Sequence, residues 1–121
     1  MADLLFGIEI GATKLQVVAG DETADMLDRR RMTADRAGGA VALRAQLEGA
    51  IRDLSQAHSP RALGVGFGGP VDVRTGRIAV SHQVEGWADF ELGDWLRQLS
   101  GRPVVVENDS NTAAFGEALR G

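Results

Sequence analysis

The hydrophobic spacing changes period between residues 33 and 62, and this constrains the fold more than any other feature. Leu43, Leu47, Ile51 and Leu54 fall at i, i+4, i+8 and i+11, one apolar stripe of an amphipathic helix. That helix is expected to start after Gly38 and Gly39 and to end near His58, before Ser59 and Pro60. On its amino side, LLFGIEI (4–10) and ATKLQVVAG (12–20) are β-rich runs divided by one glycine, which predicts a hairpin with a tight turn at Gly11 to Thr13. MLDRRRMT (26–33) alternates weakly and predicts a third, more exposed strand.

The carboxyl side repeats the alternation. ALGVGFGGPVDV (62–73) begins as a buried strand, and RIAVS (77–81) follows a turn at Arg74 to Gly76. Phe90, Leu92, Trp95, Leu96 and Leu99 predict a second helix, stopped by Gly101 and Pro103. PVVVE (103–107) is a short continuous apolar run of the kind that forms a fully buried strand. A third helix is expected from about Asn111, with Ala114, Phe115, Ala118 and Leu119 on its apolar face. The order βββαββαβα implies an α/β domain with a mixed sheet.

A chain of 121 residues supplies one such core and not two. With 13 Lys plus Arg against 17 Asp plus Glu, the net charge is -4, which gives no basic face for nucleic acid. The run Arg29, Arg30, Arg31 follows Asp25 and Asp28 and reads as a solvated strand edge. There is no cysteine, hence neither a disulfide framework nor a thiolate metal site. No apolar run approaches the ~20 residues that span a bilayer, and the first residues lack a basic, signal-like start. The expectation is a cytoplasmic protein with no membrane partner.

Three stretches carry chemistry. In GIEIGATK (7–14) a strand runs into a glycine turn with Glu9 two residues before Gly11, while Thr13 and Lys14 offer donors. The GxxxxGK spacing of a P-loop is absent, and a hairpin turn with a solvated Lys14 accounts for this stretch taken alone. GVGFGGPVD (64–72) has glycines at 64, 66, 68 and 69, but Pro70 and a strand follow where a dinucleotide fingerprint must open a helix. Either a bulge that needs glycine or a strand end pressed against a ligand explains it. In the third stretch, ENDSNTAAFGE (107–117), Glu107, Asn108 and Asp109 emerge at the carboxyl end of a buried strand, where open α/β sheets bind ligands. A following helix would aim free N–H groups at the same spot. A helix cap explains one polar residue there but not Glu107, Asn108, Asp109 and Asn111 together.

On these three stretches, together with GW (86–87), the sequence resembles the ROK family of bacterial sugar kinases and sugar-responsive repressors, within the actin-like, sugar-kinase ATPase superfamily. The resemblance runs over nearly the whole chain. It implies a ribonuclease-H-like lobe with a mixed five-stranded sheet and flanking helices, one of two lobes around a cleft. Residues 1–121 would be the amino-terminal, sugar-binding lobe, with the carboxyl-terminal lobe absent.

By that resemblance Asp109 would be the general base that takes the proton from a hexose hydroxyl as it attacks the γ-phosphate of ATP. Asn108 would bind neighbouring sugar hydroxyls, Gly68 and Gly69 would line the sugar pocket, and Gln83 would stand in place of a sugar-contacting Asn. Gly11, Ala12, Thr13 and Lys14 would form a phosphate-binding turn, with Glu9 near Mg²⁺. Zinc would belong only to the second lobe. The family usually carries Asp at Glu9, a second Gly at Ala12 and Pro at Gly68.

Three readings follow. The first is the lobe of a sugar kinase whose partners are a small sugar and a second copy of the chain. The second is a non-catalytic sugar sensor or transcriptional regulator of the same family. The third is a ribonuclease-H-like nuclease with Glu9, Asp72 and Asp109 as metal ligands, which needs a nucleic-acid affinity that the charge does not supply. His58 reads as a helix-end residue, and His82 and Trp87 carry no assignment.

Overall fold

The structure is a computed structural model that describes residues 4–11, 14–20, 26–67, 71–72, 77–78 and 90–107. Three strands open the chain, β1 (Leu5–Ile10), β2 (Lys14–Gly20) and β3 (Met26–Thr33). A 3-10 turn (Arg36–Gly38) leads into helix α1 (Gly39–Ala57), and β4 (Ala62–Phe67) follows. Two short strands, β5 (Val71–Asp72) and β6 (Arg77–Ile78), precede helix α2 (Leu92–Ser100) and the last strand, β7 (Val104–Glu107).

Five strands form one mixed sheet in the order β3-β2-β1-β4-β7. β1 pairs antiparallel with β2, and β2 with β3, as the predicted hairpin and exposed third strand require. β1, β4 and β7 run parallel, joined by crossovers that contain α1 and α2. Of RIAVS (77–81), the described residues Arg77 and Ile78 do not enter this sheet: as β6 they pair antiparallel with β5 in a separate two-stranded ribbon. The ribbon follows from chain direction, because so short a connection between β5 and β6 can return the chain only antiparallel, whereas a parallel neighbour needs a crossover. The third helix expected from Asn111 lies outside the described residues.

Strand alternation sorts the side chains into two faces. Phe6, Ile8, Ile10, Leu15, Val17, Ala19, Leu63, Val65, Phe67, Val104 and Val106 point to one face and form a single buried cluster with the helices. The stripe Leu43, Leu47, Ile51 and Leu54 of α1 is buried in it, as are Leu92 and Leu96 of α2. Burial of each large side chain contributes about 1.5–3 kcal/mol, so this face holds the domain together. Phe90 and Trp95 pack edge to face at 6.0 Å, and the Arg44 guanidinium of α1 lies 4.2 Å over the Phe90 ring, which ties the two helices together. Gly101 ends α2 in the left-handed region with its N–H donating to Arg97 O. Among the described residues no helix is long and apolar enough to cross a membrane.

The opposite face carries Leu5, Gly7 and Glu9 on β1, Gln16 and Val18 on β2, Arg29 and Arg31 on β3, Gly64 and Gly66 on β4, and Val105 on β7. Leu5 is fully buried yet lies outside the main cluster, which places it on this second side of the sheet.

Candidate functional site

The strand order decides where a ligand can lie. From β1 the chain goes to β2 on one side, and from β4 it goes through α2 to β7 on the other, so the connections diverge between β1 and β4. In open α/β sheets the crevice outside the carboxyl ends at such a divergence is the ligand site. The register brings three chemistry-bearing stretches to that edge: Ile10 pairs with Phe67, and Gly66 pairs with both Glu9 and Glu107. The carboxyl ends of β1, β4 and β7 therefore lie side by side.

Glu9 is half-buried on the last turn of the pleat before Gly11, on the face opposite the core. Gly11 closes the hairpin by donating its N–H to Lys14 O at 3.0 Å. A Cβ at Gly11 would meet that same oxygen at 3.4 Å, an ordinary contact. The hairpin itself therefore tolerates a side chain at position 11, and what glycine adds there is close access to the backbone from outside. Lys14 opens β2 and is exposed. Ala12, Thr13, Gly68, Gly69, Gln83, Asn108 and Asp109 lie outside the described residues, as do His82 and Trp87. Asp72 lies on β5 of the small ribbon rather than on the sheet that carries Glu9.

One row of residues crosses the second face at this edge. Arg31 pairs with Gln16, Gln16 with Glu9, Glu9 with Gly66, and Gly66 with Glu107. Gly66 contributes no side chain, so the row is open between Glu9 and the position of Glu107, about 10 Å apart across two strand spacings. Gln16 is 9% exposed, and its Oε1 is fully buried with no hydrogen-bond partner among the described residues. Sequence reasoning passed over Gln16 as part of an apolar strand. The signal was a lone polar residue inside LQVVAG (15–20), two residues past the turn and therefore in phase with the strand partner of Glu9.

The two features outside this edge are structural. His58, at the end of α1, lies with Nε2 3.2 Å from Asp28 Oδ2, which gives it the helix-end role its position suggested. A groove of about 400 Å³ between α1 and α2, lined by Ile51, Arg52, Ser55, Gln56, Leu99 and Ser100, lies on the helical side of the sheet, away from Glu9. Among the described residues no group of three or more His, Cys, Asp or Glu side chains converges on one point.

Comparison with known proteins gives this edge its context. The sequence model of the ROK family matches residues 5–121. A glucokinase of Halalkalibacterium halodurans is 28% identical over 95% of this chain and 36% of its own length. A transcriptional regulator of Mycobacterium bovis is 34% identical over 95% of this chain and 26% of its own length. A ROK family glucokinase from Streptomyces griseus, solved in complex with glucose and AMPPNP, superposes with a TM-score of 0.80 at 31% identity, over 98% of this chain and 37% of its own. The chain thus spans about a third of the length of the relatives it matches. With a ribonuclease-H-like, actin-superfamily sheet and a family match that covers nearly every residue, the chain belongs to the ROK family.

Proposed function

We propose that residues 1–121 are the sugar-binding lobe of an ATP-dependent ROK sugar kinase that phosphorylates a hexose hydroxyl, with Asp109 as general base. The observation that carries this reading is the register that delivers the ends of β1, β4 and β7 to one edge at the divergence point of the sheet. Its support from relatives is the glucokinase with glucose and AMPPNP bound, which shares the fold at 31% identity.

Phosphoryl transfer needs positioning and charge stabilisation rather than a covalent nucleophile. Asn108 would hold sugar hydroxyls beside Gly68, Gly69 and Gln83, so that one hydroxyl faces the γ-phosphate. Asp109 would accept that hydroxyl's proton. An ionised Asp is a weak base for an alcohol, which suffices when the proton leaves late in a loose transition state. Gly11, Ala12, Thr13 and Lys14 would approach the phosphates with backbone N–H groups and one cationic side chain. Glu9, half-buried at the carboxyl end of β1, would supply one carboxylate toward Mg²⁺, which usually takes one or two carboxylates together with substrate phosphates. When bound there, the cation would neutralise charge on the β- and γ-phosphates.

ATP turnover on a panel of hexoses, by this chain and by a chain extended to its relatives' length, tests the reading. The extended chain is expected to phosphorylate a hexose and the 121-residue chain to be inactive. In the extended chain, Asp109→Asn is expected to cost about 10²–10⁴-fold in kcat, with sugar affinity retained; full activity in that variant would overturn the base assignment. The second reading, a sugar sensor without catalysis, is favoured by the 34% identity to a transcriptional regulator. An extended chain that binds a hexose and never phosphorylates one would establish it.

A further inference from the structure

We propose that Asp28, Arg30 and Gln46 form an edge lock on β3: their side chains occupy backbone groups that would otherwise pair with β3 of a second copy of this chain. The inference does not depend on the kinase reading. β3 ends the five-stranded sheet, with no strand beyond it among the described residues. Such an edge offers its N–H and C=O groups to another chain unless something covers them. Alternation fixes which groups these are. Gly11 donates its N–H to Lys14 O, so Lys14 turns its backbone groups to β1, and Leu15 and Val17, in the alternate phase, turn theirs to β3. Their partners there are Met32 and Arg30. Arg29, Arg31 and Thr33 therefore present their backbone groups to the outer edge.

Side chains fill that edge. Asp28 Oδ1 accepts the Arg29 N–H at 2.8 Å, and Arg30 Nη1 donates to Arg29 O at 3.0 Å. Gln46 of α1 donates from Nε2 to Thr33 O at 2.9 Å, and its Oε1 accepts the Asp35 N–H just past the strand at 3.0 Å. The register shift between Ala19 and Gly20 leaves Leu27 out of the ladder as a bulge. An arriving strand needs two successive rungs, Arg29 with Arg31 or Arg31 with Thr33, and each pair includes a residue whose groups are already bonded. The helix holds these caps in place, since Arg30 also bonds Asp53 and Asp28 also meets His58 Nε2. A second copy is the occupant the geometry fits, because two β3 strands can meet antiparallel about a two-fold axis, each completing the other's ladder. The exposed Arg29 and Arg31 add like-charge repulsion to the same exclusion.

The test follows contact between copies at β3. The chain has no cysteine, so Thr33→Cys carries a single spin label, at a residue whose capped group is backbone. In about 1 M salt, which screens the two arginines, the labelled parent is expected to show no dipolar coupling between copies. Gln46→Ala frees the Arg31 and Thr33 rungs, Asp28→Ala frees the Arg29 N–H, and coupling is expected to appear in each. Asp53→Asn loosens Arg30 from α1 but leaves the caps, so it should lower the urea midpoint without coupling. By NMR, the Arg29 amide of the parent should exchange about tenfold more slowly than that of Arg31, as a hydrogen bond to a carboxylate implies, and Asp28→Ala should remove the difference. Equal exchange at Arg29 and Arg31 in the parent would overturn the cap. Folded Gln46→Ala and Asp28→Ala chains without coupling overturn the proposal, as does equal coupling in Asp53→Asn, which would trace association to lost stability. If Asp28→Ala does not fold, Gln46→Ala, which leaves the Asp28 and Arg30 bonds intact, decides by the same coupling.

Discussion

Gly38 and Gly39 stand side by side at the entrance to α1, and each is needed for a different reason. A Cβ at Gly38 would fall 2.5 Å from the Cβ of Ala42, closer than any real contact. Gly39 has φ 69°, in the left-handed region that favours glycine. Gly11 has neither constraint, since a Cβ there meets only Lys14 O at 3.4 Å. An alanine series separates the three. Gly38→Ala is expected to destabilise by about 1–3 kcal/mol through overpacking, and Gly39→Ala by about 1–2 kcal/mol through backbone strain. Gly11→Ala should stay within about 0.5 kcal/mol of the parent, and in the extended chain it should weaken nucleotide binding. Urea unfolding of the three variants checks the order; a Gly11→Ala chain as unstable as Gly38→Ala would make that glycine structural. The sequence marks Gly38 and Gly39 as the point where the period changes, but the contact with Ala42 exists only once the helix has turned back over it.

At the scale of elements, β3 is fastened to α1 by charge. Arg30 of β3 bonds Asp28 at 2.7 Å and also Asp53 of α1, and His58 at the helix end reaches Asp28. The Arg30 guanidinium, with help from the Arg29 N–H and His58, holds the Asp28 carboxyl below its usual range. The folded chain therefore releases that proton more readily than the unfolded one. The stability this contributes is present above the unfolded carboxylate range, near pH 4, and is lost as pH falls through the lower, folded value. Asp28→Asn should lower stability at neutral pH and flatten the fall in stability below about pH 4. Urea unfolding at a series of pH values checks this, and an unchanged slope in Asp28→Asn would assign the acid sensitivity elsewhere. The stripe of α1 was legible because Leu43, Leu47, Ile51 and Leu54 repeat at the period of a helix. The clasp was not: Asp28 and His58 lie 30 positions apart, and the triple arginine read only as a solvated edge. Arg29 and Arg31 do face outward, but Arg30, in the alternate phase of the strand, turns to the helix.

For the molecule as a whole, β7 closes one edge of the sheet with Val104, Val105 and Val106, and Val105 is 39% exposed. β3 at the other edge carries exposed Arg29 and Arg31, the kind of charge that discourages strand addition, whereas β7 has none before Glu107. The 121-residue chain is therefore expected to self-associate at high concentration, and Val105→Lys to suppress it. Sedimentation velocity over a concentration series decides, and a strictly monomeric parent chain would refute the expectation. The sequence by itself determined the α/β class, the opening hairpin, both described helices and the residues that end β1, β4 and β7, because period, glycine and proline act locally. Only the tertiary structure decided that these three ends lie together at the divergence of the sheet, that residues 77–78 pair outside it, and that Gln16 is buried beside Glu9 without a donor among the described residues. Strand order and register are set by which apolar faces bury together across many residues, and no local pattern encodes that choice.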